Sequence, residues 1–491
     1  MRFVRVVGVL LAAIAIIMVL RTLRMPGRPV AEPAPGGAPV VLDTTAAAAR
    51  LAGAVKFPTV SLRSGGPIDT AAFRGLHQYL VASFPLAHAA LAREVVAGLS
   101  LLYTWSGTDT TLPPLVLMGH LDVVPVPEPN LPSWTHSPFS GDIADGFVWG
   151  RGTLDDKTTV LSILEAVETL LKDGFRPSRT IYLAFGHDEE VGGRYGARAI
   201  VARLVAHGVQ PALVLDEGGF MAAGLMPGMN ERAAMVGIAE KGYLSLRITA
   251  KAEGGHSSMP TGRTAVGALS RAIATLEANP FPSRVDGPTR GMIEAMAPYL
   301  SFGRRLLIAN LWLAAPVVSR QLAGNPLGAA LLHTTTAPTM LVAGIKDNVL
   351  PPEATAIVNF RIRPGETAAS VTARVAQLVD DDQITVGPMD SAWADPSPVS
   401  DITSKAYRTL SGVIRTMVPG EVPPIVPYLV MGGTDAKYWG PYTDRAFRFL
   451  AVPLGEGDRE RIHGVNERVS LTVYATSVGF FIRLLRRIDE L

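Results

Sequence analysis

Five stretches of the sequence hold residues that could do chemistry together. Gly119-His120-Leu121-Asp122 offers an imidazole with a carboxylate two positions on. A metal-binding His usually has its second ring nitrogen held by such an acceptor. Trp149-Gly-Arg-Gly-Thr-Leu-Asp155-Asp156-Lys157 ends in paired acids. Asp155 reads either as a carboxylate bridging two cations or, with Asp156, as a cap opening the next helix, where the dipole favours negative charge. Gly186-His187-Asp188-Glu189-Glu190 sets three acids in a row. Such acids repel unless cations neutralise them; one Glu then ligates while its neighbour works as a base. A solvated acidic turn is the plain alternative. Leu215-Asp216-Glu217-Gly-Gly219 adds another acidic pair, and His463 lies far downstream in Arg461-Ile-His463-Gly-Val-Asn466-Glu467. Taken alone, a His in such a turn is more often structural. Taken jointly, these nitrogen and carboxylate donors suit zinc, or less often cobalt or manganese. The chain has no Cys, so neither thiolate ligands nor disulfides contribute.

Such residues converge only if the elements before them end at one place. Residues 115–118, 180–185 and 212–215 are short apolar runs, and each ends in one of the polar clusters. Helical stretches at 158–171 and 197–207, closed by Gly174 and Gly208, lie between them, and 44–56 reads as a first helix. This β-α-β-α-β rhythm predicts an α/β fold with an open, mostly parallel sheet, which binds ligands at the carboxyl ends of its strands. That catalytic domain is expected over 42–242. From Tyr243 the pattern changes. Residues 244–250 alternate with period two, as a half-solvated strand does, and 339–343 and 354–362 look similar. With a helical stretch at 371–379, they predict a smaller α+β lid or dimerisation domain over 243–397. It would be inserted into the catalytic domain, which resumes over 398–491. Residues 280–338, strongly apolar over 306–318, are expected to elaborate the inserted domain.

A chain of 491 residues, 48% of them hydrophobic, has ample material for two domains. A formal net charge of +2 excludes the basic field of a nucleic-acid binder. Residues 6–20 form an unbroken apolar run, with Arg2 and Arg5 before it and Arg21, Arg24 and Arg28 after it. A bilayer span needs about 20 residues, and 3–23 suffices if Arg5 and Arg21 snorkel to the head groups. Arg-Thr-Leu-Arg after Leu20 offers no small-x-small cleavage site. An uncleaved membrane anchor over 1–25 is therefore preferred to a cleaved signal peptide. A Pro/Gly-rich tether is expected over 26–41, and a catalytic domain outside the cytoplasm, either anchored or secreted.

The phrases GHLDVVPV, WGRGTLDDK, FGHDEEVGG, LDEGG, GGHSSMP, KDNVLPPEA, GGTDAKYW and IHGVNE resemble, in this order, the zinc metallopeptidase family of carboxypeptidase S, aminoacylase and the bacterial desuccinylases. The likeness runs from about Leu42 to the end. It is strongest towards carboxypeptidase S and the secreted N-acyl amino acid hydrolases, which share GHDEE and DEGG. It implies two zinc ions per subunit. His120 would ligate one, oriented by Asp122. Asp155 would bridge both, Glu190 and His463 would hold the second, and Glu189 would be the general base. Asp216 is the first choice for the remaining ligand and Glu217 the alternative. His256, in Gly-Gly-His-Ser-Ser, would reach the active site of the neighbouring subunit in a homodimer. Asn348 and Arg361 resemble residues that hold the scissile carbonyl or the substrate carboxylate. Gly433 and Thr434 resemble the loop beside that carboxylate. The implied activity is release of C-terminal amino acids from small peptides, or hydrolysis or reversible synthesis of N-acyl amino acids. A non-catalytic receptor with a decayed site would need a missing ligand or base, and none of these positions is missing.

Overall fold

Apolar runs without a polar interruption build the centre of the molecule. A computed structural model describes residues 2–28, 42–63, 65–224, 231–260, 262–390 and 393–491. The strands Leu115–His120 and Ala233–Glu240 are buried at every position. They belong to a nine-stranded sheet. Its order is Ala92–Val96, Ser100–Trp105, Ile181–Gly186, Leu115–His120, Leu213–Asp216, Ala446–Arg448, Ala233–Glu240 and Ile425–Val430, with Phe220–Ala222 also on the 233–240 strand. The 115–120 strand runs parallel to both 181–186 and 213–216, and 446–448 runs parallel to 213–216. Their carboxyl ends therefore share one edge, and the register sets His120 opposite Gly186. The late strand 446–448 sits between 213–216 and 233–240, so distant parts of the chain close the middle of the sheet.

Because side chains alternate across a strand, the two faces take different partners. Leu115 and Leu117 join a core with helices Thr44–Val55, Lys157–Lys172 and Leu471–Arg486. Val116 and Met118 face helix Ala197–Ala206 on the other side. Each fully buried Leu, Ile or Val there is worth on the order of 2 kcal/mol of transfer free energy.

A separate four-stranded antiparallel sheet has the order Thr335–Ala343, Glu353–Ile362, Gly242–Lys251, Ile384–Pro388. Leu244, Leu246, Ile248 and Ala250 are buried against helices Ala265–Ala278 and Ala368–Val379, while Tyr243 and Arg247 stay exposed. A short ribbon, Gly255–His256 with Val349–Leu350, lies beside it in sequence.

Within 280–338, Phe281 and residues 335–338 join the four-stranded sheet and its core, whereas residues 287–332 lie elsewhere. Helices Gly287–Met296, Phe302–Ala309, Leu311–Leu322 and Pro326–Leu332 pack on the large sheet, with Met292, Ile293 and Met296 against Met235 and Tyr428. The four-stranded sheet already has its apolar face covered by two helices, whereas the outer face of 233–240 and 425–430 is covered by these.

The N-terminus forms a helix, Arg2–Leu23. Its segment Phe3–Leu23 has mean hydropathy 2.8 and is long and apolar enough to cross a membrane. The expected tether falls at 26–41, of which 29–41 lie outside the described residues.

Candidate metal centre and active site

Two parallel strand ends, those of Leu115–His120 and Ile181–Gly186, meet the loop after strand Phe147–Trp149 and the turn after helix Asp458–Arg461, so four separate sequence stretches come to one point. Asp155 stands between two imidazoles. Its Oδ1 is 2.9 Å from Nε2 of His120, and its Oδ2 is 3.0 Å from Nε2 of His463. Nε2 of His463 is also 3.2 Å from Oε2 of Glu190. Nδ1 of His120 is 3.0 Å from the backbone carbonyl of Asp122 and 3.4 Å from its Oδ1, so Nε2 is the nitrogen turned to Asp155. A nitrogen and a carboxylate oxygen at such distances must share a proton or a cation. The donors fit a divalent-cation site. His120, Asp155 and Glu190 each offer an atom within 4.8 Å of the others. Oε1 of Glu190 is buried without a hydrogen-bond partner.

The electrostatics carry the same message. Burial lifts Glu189 and Glu217 well above the usual carboxylate range, and neighbouring carboxylates push both further up. Burial and then Asp155 raise Glu190. Against the cost of burial, Asp122 and Asp155 lift the His120 imidazole well above its ordinary value. Asp155 and then Glu190 push His463 up to about 10. Burial opposes ionisation of Asp155, but His120 and His463 outweigh it and hold that carboxyl low. Carboxylates so crowded bind either protons or cations.

Asp122 positions more than His120. Its Oδ1 accepts the backbone N–H of Glu189 at 3.1 Å and its Oδ2 that of Glu190 at 3.2 Å. The other polar residues of this turn have structural partners. Asp188 accepts the N–H groups of Tyr195 and Gly196, and Nδ1 of His187 is 2.7 Å from Oγ of Ser100. Two acids stand at the end of strand Leu213–Asp216. Oδ2 of Asp216 accepts the N–H of Ala436 at 2.6 Å, whereas Glu217 shares the field of Asp155 and Glu189. Asp216, the first choice from sequence, has one oxygen on the backbone of another loop and also stands in the field of Asp156, so both acids of the pair lie among the buried carboxylates.

Sequence reasoning passed over a buried clamp. Nη1 of Arg151 donates to Oε2 of Glu467 at 2.5 Å, and its Nη2 donates to the carbonyls of His463 and Gly464. Oε1 of Glu467 accepts the N–H groups of Gly152 and Leu154 at 3.0 and 2.8 Å, with that of Asp155 at 3.3 Å. Two buried residues thus fasten the Asp155 loop to the His463 turn. The opposite charges within the WGRGT and HGVNE phrases were the available signal. Asp435 and Lys437 were also missed. Asp435 is buried with neither carboxylate oxygen partnered, and an added Cβ at Gly186 or Gly193 would collide with it. Despite burial, Asp435 and then Tyr438 and Glu189 raise the Lys437 ammonium above its ordinary value.

The expected substrate residues are more dispersed. Thr434 gives its N–H and hydroxyl to Glu240, which is also bound by Arg448, and Gly433 lies beside Glu240 and Lys437. His256 is exposed, its Nδ1 2.7 Å from Oγ of Ser258, and the carbonyl of Asn348 accepts the N–H of Ser257. The guanidinium of Arg361 lies 4.9 Å from the centre of the Tyr243 ring. Among the described residues, no hydrogen bond or ion pair joins His256, Asn348 or Arg361 to the ligand cluster.

The chain matches peptidase family M20/M25/M40 over residues 116–487. It is 38% identical over 489 residues to probable carboxypeptidase S-like 2 of Dictyostelium discoideum, covering 98% of this chain and 93% of that one. It is 40% identical over 443 residues to the N-fatty-acyl-amino acid synthase/hydrolase PM20D1 of Xenopus tropicalis, covering 89% and 85%. The fold is shared with the M20 family metallo-carboxypeptidase Sso-CP2 of Sulfolobus solfataricus, at TM-score 0.65, 18% identity and coverage of 92% and 100%. With this match spanning most of the sequence, and with imidazoles and carboxylates gathered at one edge of the sheet, the chain belongs to peptidase family M20/M25/M40 and is an enzyme of that hydrolase family.

Proposed function

We propose that the protein is a two-zinc hydrolase that releases C-terminal amino acids from small peptides. The observation that carries this reading is Asp155, with one oxygen turned to His120 and the other to His463 and Glu190 beside it. His120, Asp155 and Asp216, or Glu217 in place of Asp216, would hold one cation, and Asp155, Glu190 and His463 the other. When bound, such cations acidify a water and polarise an amide carbonyl; Co²⁺ or Mn²⁺ are chemically admissible in place of Zn²⁺. Glu189 is the general base. Asp122 fixes its backbone, and burial together with Asp435 and Glu190 gives its carboxylate high basicity. It takes a proton from the attacking water and returns one to the leaving amine.

The second reading is hydrolysis or reversible synthesis of N-acyl amino acids, favoured by the 40% identity to a relative named for that activity. Both readings concern one bond type, an amide whose nitrogen belongs to a free amino acid. Arg361 would receive the substrate carboxylate. Residues 243–397 would act as a lid and dimerisation unit, and His256 would be supplied by a second subunit of a homodimer. The N-terminal helix would anchor an extracytoplasmic catalytic body, the alternative being a protein secreted after cleavage.

The test is the purified chain loaded with Zn²⁺, assayed against dipeptides and N-acyl amino acids. Glu189→Gln should lose about 10²-fold or more in turnover, the usual scale for a general base, while retaining two metal ions per chain. Activity within a few-fold of the parent would sink the assignment.

A further inference from the structure

Helix Leu311–Leu322 is apolar on both sides. Leu311, Ala314 and Val318 are buried in the core beneath it. On the opposite side, Trp312, Leu313 and Val317 are 57%, 51% and 49% exposed, and Pro316 beside them is exposed too. Positions 312, 313, 316 and 317 recur at helical spacing and make one continuous face. Phe302, at the start of the preceding helix, is 53% exposed. Single exposed apolar residues need no explanation, but a contiguous face marks an interaction surface.

The N-terminal helix indicates what covers it. Its last turns pack on helix Phe302–Ala309. Nδ2 of Asn310 donates to the carbonyl of Met18 at 3.1 Å, and Nε of Arg21 donates to the carbonyl of Ala309 at 3.1 Å. The indole N–H of Trp312 donates to Oδ1 of Asn310 at 3.2 Å. The segment Phe3–Leu23 has 21 residues, which at 1.5 Å per residue match a hydrocarbon core about 30 Å thick. Residues 18–21 then lie about 3–8 Å inside the edge of that core, and the hydrogen bonds hold Asn310 and Trp312 near the same boundary, the depth that the apolar face of an interfacial helix reaches. Trp favours this depth, where one end of its ring is apolar and the other wet. Residues 287–332 also carry four arginines, Arg290, Arg304, Arg305 and Arg320, against one acid, Glu294, a balance that suits anionic head groups.

We infer that the exposed face of helix Leu311–Leu322, with Phe302, lies in the surface of the same bilayer that the N-terminal helix enters, so that the catalytic body rests on an anionic lipid surface. The inference rests on the reading of that helix as an uncleaved anchor. It makes residues 287–332 a monotopic contact as well as a cover for the large sheet.

The absence of Cys allows a direct test. Single spin labels are placed on the full chain at Leu313→Cys and Val317→Cys, at Leu10→Cys in the N-terminal helix, and at Leu341→Cys on the exposed strand Thr335–Ala343. Each is measured in phosphatidylglycerol/phosphatidylcholine vesicles for collision with oxygen and with a water-soluble nickel chelate. Labels at 313 and 317 should meet the chelate about 10-fold less than the label at 341, as buried interfacial groups do. Hydrated labels at 313 and 317 with an immersed label at 10 overturn the inference and leave the anchor standing. A hydrated label at 10 removes both. Dipolar broadening between labels at 313 would show a second copy on this face, and also overturns it. The unsubstituted chain gives an independent readout. The N-terminal helix contains no Trp, so quenching of Trp fluorescence by brominated lipids should arise from the body and fall in Trp312→Phe; unchanged quenching counts against the inference.

Discussion

Glu467→Gln is the sharpest test of how the metal centre is held. The substitution keeps the size of the side chain and removes its charge. Its remaining carbonyl oxygen can still accept the N–H groups of Gly152 and Leu154, but the new amide N–H₂ then faces Nη1 of Arg151, donor against donor. The charge-assisted bond at 2.5 Å is lost, worth about 1.5–3 kcal/mol. Arg151 is left as a buried charge, a situation that costs about 3–5 kcal/mol where one partner of a buried pair is removed. Its Nη2 bonds to His463 and Gly464 persist and limit the damage, so about 3 kcal/mol of stability is the expected loss. The clamp joins the Asp155 loop to the His463 turn, so zinc affinity should fall about 10–100-fold, as for groups that orient ligands. Competition between the protein and a fluorescent chelator measures the affinity, and denaturation in excess chelator measures the stability. If both stay at the parental level, the clamp does not hold the site.

Asp216→Asn should lower bound metal, whereas Glu217→Gln should keep two ions; elemental analysis giving the reverse would make Glu217 the ligand. His77 is held by burial at about 4, below its ordinary 6.5, with Nε2 3.0 Å from the carbonyl of Leu99. The unfolded chain therefore binds the proton first. The stabilisation is fully present above pH 6.5 and is lost as pH falls towards 4, an effect of about 3 kcal/mol. His77→Gln should flatten that acid limb in urea titrations of the metal-free protein. His256→Ala should lose at least about 10²-fold in turnover, the scale of a lost oxyanion donor, with zinc content unchanged. Mixing it with Glu189→Gln should restore activity; subunits that exchange yet stay inactive exclude sharing of His256.

Much of the fold was legible because its signals are local. Apolar runs ending at His120, Glu189 and Asp216 announced parallel strands, and period two announced the second sheet. Three features were not local. Asp216 ends its strand and Glu217 follows it directly, so the sequence offers both acids to the site without choosing between them. The stripe Met292, Ile293 and Met296 declares that a helix is buried, but not beneath which sheet. Arg151 and Glu467 are far apart in sequence, and neither phrase names its partner.

The position of strand Ala446–Arg448 has a kinetic consequence. It fills the gap between strands 213–216 and 233–240, yet it is made long after both. At roughly 5–20 residues per second, a ribosome delivers it on the order of ten seconds or more after its neighbours. Throughout that interval the nascent chain holds two unpaired strand edges, the kind of surface that templates association with other chains. A non-local closure of this sort also slows folding. His463 emerges later still, so metal cannot complete the site until the sheet has closed. A chain released before Arg448 carries an open edge at the middle of its sheet.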